Sequence, residues 1–222
     1  MDFKSIAYSL PGILLGLTLH EFCHAWAAYK LGDHTAKEQG RLSLNPLRHI
    51  DLLGFLFIII AGFGWAKPVQ FNPENLKKPR RDKALIAAAG PLSNFLLALF
   101  FVFLIKGYLS IMLNALIGEN SSLTETLTSP FYLALFTGVL QAAFINLGLF
   151  IFNLLPLPPL DGSHIFLSGL NLAPATEARI MKIGAPILFI IIIVQNRTGL
   201  EILPIGRLIR AIMNFLIPEL YS

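Results

Sequence analysis

His20-Glu21-Phe22-Cys23-His24 sets two imidazoles and a carboxylate in the order H-E-x-x-H. Four positions apart on a helix, the two imidazoles share one face and can hold a single metal ion. Glu21, one position round, can exchange a proton with water beside them. That is the core of a hydrolytic zinc site. With 5 His and 8 Glu in 222 residues, chance supplies only about 0.004 copies of the pattern. From Ile6 to Tyr29 the chain has no Asp, Lys or Arg, so the motif lies inside an apolar helix. Ionisable residues in a membrane span are costly and mark function. A solvated polar face is excluded there, and a packed polar cluster without metal is the competing reading.

The rest of the composition agrees. Hydrophobic residues make up 55% and charged residues 14%, against roughly 25% charged in soluble domains. A nucleic-acid partner is excluded despite the net charge of +4; the positive excess reads as cytoplasmic loop charge against anionic lipid of the bilayer. One cysteine leaves no disulfide within the chain and no CxxC metal site. The first apolar stretch is expected to be retained rather than cleaved as a signal peptide, since it carries the motif. The length fits one membrane domain over 1–222.

These residues need elements to hold them at one depth. The expected fold is an all-α polytopic membrane protein. Core spans are predicted over 5–29, 84–105 and 131–152, with a further C-terminal span over 176–195 kinked near Pro186. Residues 52–66 are apolar but short, with glycines at 54, 62 and 64; a re-entrant or hairpin segment is the better reading than a span. Such a segment could also offer a strand edge to an unwound substrate. The tail from Ile202, with Arg207 and Arg210 among Leu and Ile, suggests an interfacial helix. The 30–83 connection carries ten Lys/Arg and the 106–130 connection one. The positive-inside rule therefore puts 30–83 in the cytoplasm, and the active site toward that side of the membrane.

A hydrolytic zinc site needs a third protein ligand and an open position. Asp161 is the candidate, because the third span would deliver it to the cytoplasmic half where His20 and His24 lie. Three prolines in Pro156-Leu157-Pro158-Pro159 break the helix just before it; a helix N-cap is the alternative role for Asp161. Asn153 beside the broken backbone could hold an extended substrate or an oxyanion, or cap a helix C-terminus. His164 is a weaker candidate for substrate or ligand contact. His34 and His49 are expected to be solvated, Cys23 to pack between helices, and Gly90-Pro91 and Asn94 to set close helix packing.

His20-Glu21-x-x-His24 together with Asn153-x-x-Pro156-x-x-x-Leu160-Asp161-Gly162 resembles the site-2 protease family of intramembrane zinc metalloproteases. Gly40-Arg41-Leu42-x-Leu44-Asn45-Pro46 and Gly64-Trp65-Ala66-Lys67-Pro68-Val69 resemble its short prokaryotic branch. The resemblance implies one Zn2+ per chain on His20, His24 and Asp161, Glu21 as general acid/base, and substrate contact at Asn153. It implies cleavage in or beside a transmembrane segment of another membrane protein. No stretch is long enough for the PDZ or CBS domains of larger relatives, and Asp161-Gly162-Ser163 replaces their frequent Asp-Gly-Gly. Oligomeric state is left open. A membrane metal transporter and a non-catalytic scaffold are the rival readings. The first calls for polar residues through the whole membrane thickness, and the second for a broken catalytic set.

Overall fold

The computed structural model describes residues 3–61, 64–170 and 172–220. In chain order its helices are α1 (Phe3–Lys30), α2 (Thr35–Glu38), α3 (Leu52–Ala61), α4 (Pro79–Ile117) and α5 (Ser121–Leu127), then α6 (Pro130–Asn153), α7 (Asp161–Gly169), α8 (Pro174–Thr198) and α9 (Ile205–Leu216). No strand is present among the described residues beyond one antiparallel bridge, Ile50 to Ala66. The all-helical fold expected from the sequence is the fold observed.

Three helices, α1, α4 and α6, are long and apolar enough to cross a membrane, and they pack on one another. Small residues let them approach. A Cβ added to Gly12 of α1 would stand 2.7 Å from the Cα of Ala142 on α6, so the backbones meet almost directly, as in helix pairs that associate in lipid. Ala98, Val102 and Ile105 of α4 pack with Ala143, Leu147 and Ile151 of α6. Met213 and Ile217, at the end of α9, complete this core. Leu96, Phe100, Phe103 and Phe131 point outward; in hydrocarbon an apolar outer face is what the solvent requires.

The second span is longer than its apolar run suggests. Ile105 is followed by three more helical turns before Gly118 ends α4. No proline interrupts 108–117, and Gly107 has no neighbour to accommodate. Tyr108 stacks on Phe136 at 4.7 Å and donates to the carbonyl of Leu127, which fastens the extension to α5 and α6. At 1.5 Å per residue α4 is roughly 58 Å long, about twice the hydrocarbon thickness, so its last turns project into the polar phase.

The described residues of the 52–66 segment fit the re-entrant or hairpin reading. Ten residues of helix reach about 15 Å, half the hydrocarbon thickness. The chain returns to where it left, because Ile50 pairs with Ala66 and the Lys67 N–H donates to the His49 carbonyl at 2.8 Å. Gly62 and Phe63 lie outside the described residues. The expected strand edge is corrected: residues 52–61 are helical, because an uninterrupted apolar run satisfies its own backbone most cheaply as a helix. Among the described residues after α3, Ala66 is the one that makes a strand-type pairing, with Ile50.

The C-terminal segment 176–195 forms α8, 25 residues with Pro186 inside and Glu177 in its first turn; it is not one of the three helices above. Helix α9 buries Met213 and turns Arg207 and Arg210 outward, the amphipathic form of an interfacial helix.

Candidate metal centre

Helix α1 delivers His20, Glu21 and His24 from its C-terminal half, all buried. The loop after α6 returns the chain to the same level, and α7 starts with Asp161. The N-cap position belongs to Leu160, and no side chain makes a capping bond there. The capping role for Asp161 is thereby ruled out and its carboxylate is left for the site. The tight entry into α7 requires Gly162, whose added Cβ would run into the Leu154 and Leu155 carbonyls.

Three ligand atoms converge. Nε2 of His20 and Nε2 of His24 are 3.0 Å apart, and Oδ2 of Asp161 lies 3.1 and 3.3 Å from them. Hydrogen bonds on the far side of each ring settle which nitrogens carry protons. Nδ1 of His24 is 2.7 Å from the carbonyl of Ile86, which can only accept, so the proton sits on Nδ1. For His20 the argument runs through two buried amides. Asn146 points its Nδ2 at the carbonyls of Gly12 and Ala142, and Asn94 points its Nδ2 at Gly16 O and Asn146 Oδ1. Only Oδ1 of Asn94 is left for Nδ1 of His20, 2.6 Å away, and that nitrogen must donate.

In the neutral rings both Nε2 atoms therefore turn lone pairs toward each other and toward the buried Oδ2 of Asp161. A shared proton would relieve one edge of this triangle; a cation relieves all three. Bonds of 2.0–2.1 Å from a tetrahedral zinc put its ligands about 3.3 Å apart, close to the separations observed. The donor set fits zinc. Room for an ion is kept by Gly90 of α4, where a Cβ would stand 2.7 Å from Nε2 of His20.

Glu21 faces a different group of partners. Its Oε2 accepts from the backbone N–H of Val69 at 3.0 Å, with Nη2 of Arg41 at 4.0 Å. Arg41 is 4% exposed and donates to the carbonyls of Arg48 and Lys67. Burial pulls its guanidinium below the ordinary value, opposed by the charge of Glu21; it remains a cation. His49 is a correction. Expected to be solvated, it is buried, with Nε2 on the carbonyl of Ser43, because the loop folds back on the hairpin. Burial lowers its pKa.

Asn153 ends α6, and its Nδ2 donates to Leu149 O at 3.0 Å. His164 keeps a buried Nδ1 without a partner and does not join the metal-ligating group. His34 is exposed and Cys23 half-buried beside Ser93, as the sequence suggested. The local sequence around Arg41 and Asn146 carries no signal that would place either beside the site. For Asn94 the sequence indicates helix packing, and its position within the apolar span is the one available signal of a larger role. Next to the site lies an apolar cavity of about 710 Å³, bordered by Ile13 and Leu17 of α1, Leu149 and Phe152 of α6, Leu160, and Leu188 of α8.

Three helices long and apolar enough to cross a membrane, with His20 and His24 buried on α1 and the partly buried Asp161 of α7 brought against them, describe a membrane protein with a group able to ligate a metal. Residues 8–194 match the description "Peptidase family M50", and the chain belongs to that family. It is a zinc metallopeptidase of the site-2 protease type. It is 44% identical over 158 residues to YwhC of Bacillus subtilis (strain 168), provisionally named a zinc metalloprotease, covering 71% of this chain and 67% of that protein. It is 30% identical over 179 residues to Rip2 of Mycolicibacterium smegmatis, which bears the same provisional description, covering 76% and 61%. For Rip2 of Mycobacterium tuberculosis (strain ATCC 25618 / H37Rv) the identity is 33% over 159 residues, covering 69% and 53%. The matched segment thus spans about half to two thirds of these relatives. No solved structure matches the chain.

Proposed function

We propose that this protein is an intramembrane endopeptidase that hydrolyses a peptide bond in or beside a transmembrane segment of another membrane protein. The observation that carries the proposal is the triangle of two imidazole Nε2 atoms and one carboxylate oxygen, 3.0, 3.1 and 3.3 Å apart, beside three helices able to span a membrane. His20, His24 and Asp161 would hold the metal. Bound there, zinc would supply Lewis acidity toward the scissile carbonyl and lower the pKa of water toward neutral. Glu21 takes the proton released by the attacking water and returns it to the leaving amine. A helical substrate hides its carbonyls in its own hydrogen bonds, so it must unwind to be cut; the apolar cavity beside the centre suits the side chains of such a segment. Asn153 contacts the substrate at the end of α6. The site opens toward the cytoplasmic side, which the charge of the 30–83 connection favours.

The test is Glu21→Gln, in purified protein and in cells co-expressing single-span substrates. Cleavage is expected to fall by more than about 100-fold with one zinc per chain retained, because a proton carrier is lost and no ligand is. His20→Ala, His24→Ala and Asp161→Ala should each lose zinc. Full metal occupancy and activity in Asp161→Ala would remove it from the ligand set.

A further inference from the structure

Arg41 lies 20 residues after Glu21 in the sequence, in a connection that supplies no metal-ligand candidate. In space its guanidinium sits where three pieces of chain meet. One nitrogen donates to the carbonyl of Arg48, another to that of Lys67, and the latter is also 4.0 Å from Oε2 of Glu21. Lys67 is in turn fastened by its own N–H to the His49 carbonyl at 2.8 Å. Residues 48–49 and 67 are thus clamped from two sides. Pro68 follows, with its φ fixed by the ring, and the next N–H, that of Val69, is the donor to Glu21 at 3.0 Å.

We propose that Arg41 is a positioning residue for the proteolytic reaction: it fixes the 67–69 segment so that the Val69 N–H holds Glu21 by one carboxylate oxygen and leaves the other free to move the proton. The inference rests on the function proposed above and assigns a role to a residue outside the metal-binding set. The candidate ligand atoms are oriented elsewhere, by Asn94, by the Ile86 carbonyl and by the entry to α7. Loss of the clamp should therefore spare the metal and slow the chemistry. Arginine is required for its shape. Two carbonyls on separate segments need a rigid fork of donors, which the single ammonium of lysine cannot supply. Burial adds to this, since at 4% exposure Arg41 is poorly placed to exchange a lost acceptor for solvent.

The experiment compares wild type, Arg41→Lys, Arg41→Gln, Val69→Pro and the double variant Arg41→Lys/Val69→Pro, in detergent, on a peptide substrate cleaved by wild type. Each single variant should lose at least about tenfold in kcat with KM within about twofold, and keep one zinc per chain. Val69→Pro removes the donor without touching Arg41, so the double variant should be no slower than the slower single variant. Independent multiplicative losses, an unchanged kcat in Val69→Pro, or loss of zinc in folded Arg41→Lys would each overturn the proposal. Should Arg41→Gln fail to fold, Arg41→Lys and Val69→Pro still decide it. A wild type that binds zinc yet cleaves nothing would instead count against the function on which the inference rests.

Discussion

At the scale of single residues, the metal centre depends on amides as much as on its ligands. Asn94 and Asn146 are fully buried, and every donor they own is spent on a carbonyl of α1 or α6 or on each other. That leaves one oxygen, which holds His20 in the tautomer a metal needs. Replacing such an orienting partner typically lowers metal affinity about 10- to 100-fold. Asn94→Leu should show a loss of that size in competitive zinc titration against a chelator. Asn94→Asp, which can still accept from Nδ1, should lose less. Equal losses in the two variants would mean that Asn94 serves packing alone.

At the scale of elements, the connection between α1 and α4 is held by Asp33. Its buried carboxylate accepts from Thr35 N–H and Oγ1, from the Asn72 N–H and from Nδ2 of Asn75. Burial alone would raise its pKa; the four donors outweigh it and hold the carboxyl below its ordinary value. A depressed folded value means stability that is present above the unfolded pKa, about 3.9. It is lost as pH falls through the folded value, because the unfolded chain then binds the proton first. Amide exchange across 33–76 should therefore accelerate on acidification below about pH 4, after correction for the intrinsic pH dependence of exchange. In Asp33→Asn, protection at pH 7 should be weaker by about 1–3 kcal/mol, and that extra acid sensitivity should disappear. Parallel acid profiles in the two proteins would exclude Asp33 as the titrating clamp.

At the scale of the whole molecule, the centre constrains topology. His24 lies six residues before the end of α1 and Asp161 eight after the end of α6, so those two ends share one side of the membrane. The hairpin at 52–66 keeps the start of α4 on that side too. With Cys23 replaced by Ala, single cysteines at Lys77 and Ser122, both exposed, should label differently in intact cells. An impermeant thiol reagent should reach Ser122→Cys from outside, and Lys77→Cys only after the cytoplasmic face is opened. Labelling of both from outside would place the 30–83 connection on the wrong side and invalidate the charge argument.

Much of this was legible in the sequence, and the reason is physical. In hydrocarbon each segment must satisfy its own backbone, so apolar length alone marked α1, α4 and α6 and made a re-entrant or hairpin segment the better reading of residues 52–66. The His20, Glu21 and His24 set was visible because its geometry is local, one helical turn. Asp161 could be placed by depth, since the third span had to end near it. What tertiary structure alone decided lies in contacts between distant positions. Asn94 meets His20 across 74 residues and Asn146 across 52, and the Val69 N–H reaches Glu21 across 48. A polar side chain that will be buried against a remote carbonyl has the same local sequence as one left in water. His49, Asp33 and Arg41 could therefore be told from solvated loop residues only once folding had supplied their partners.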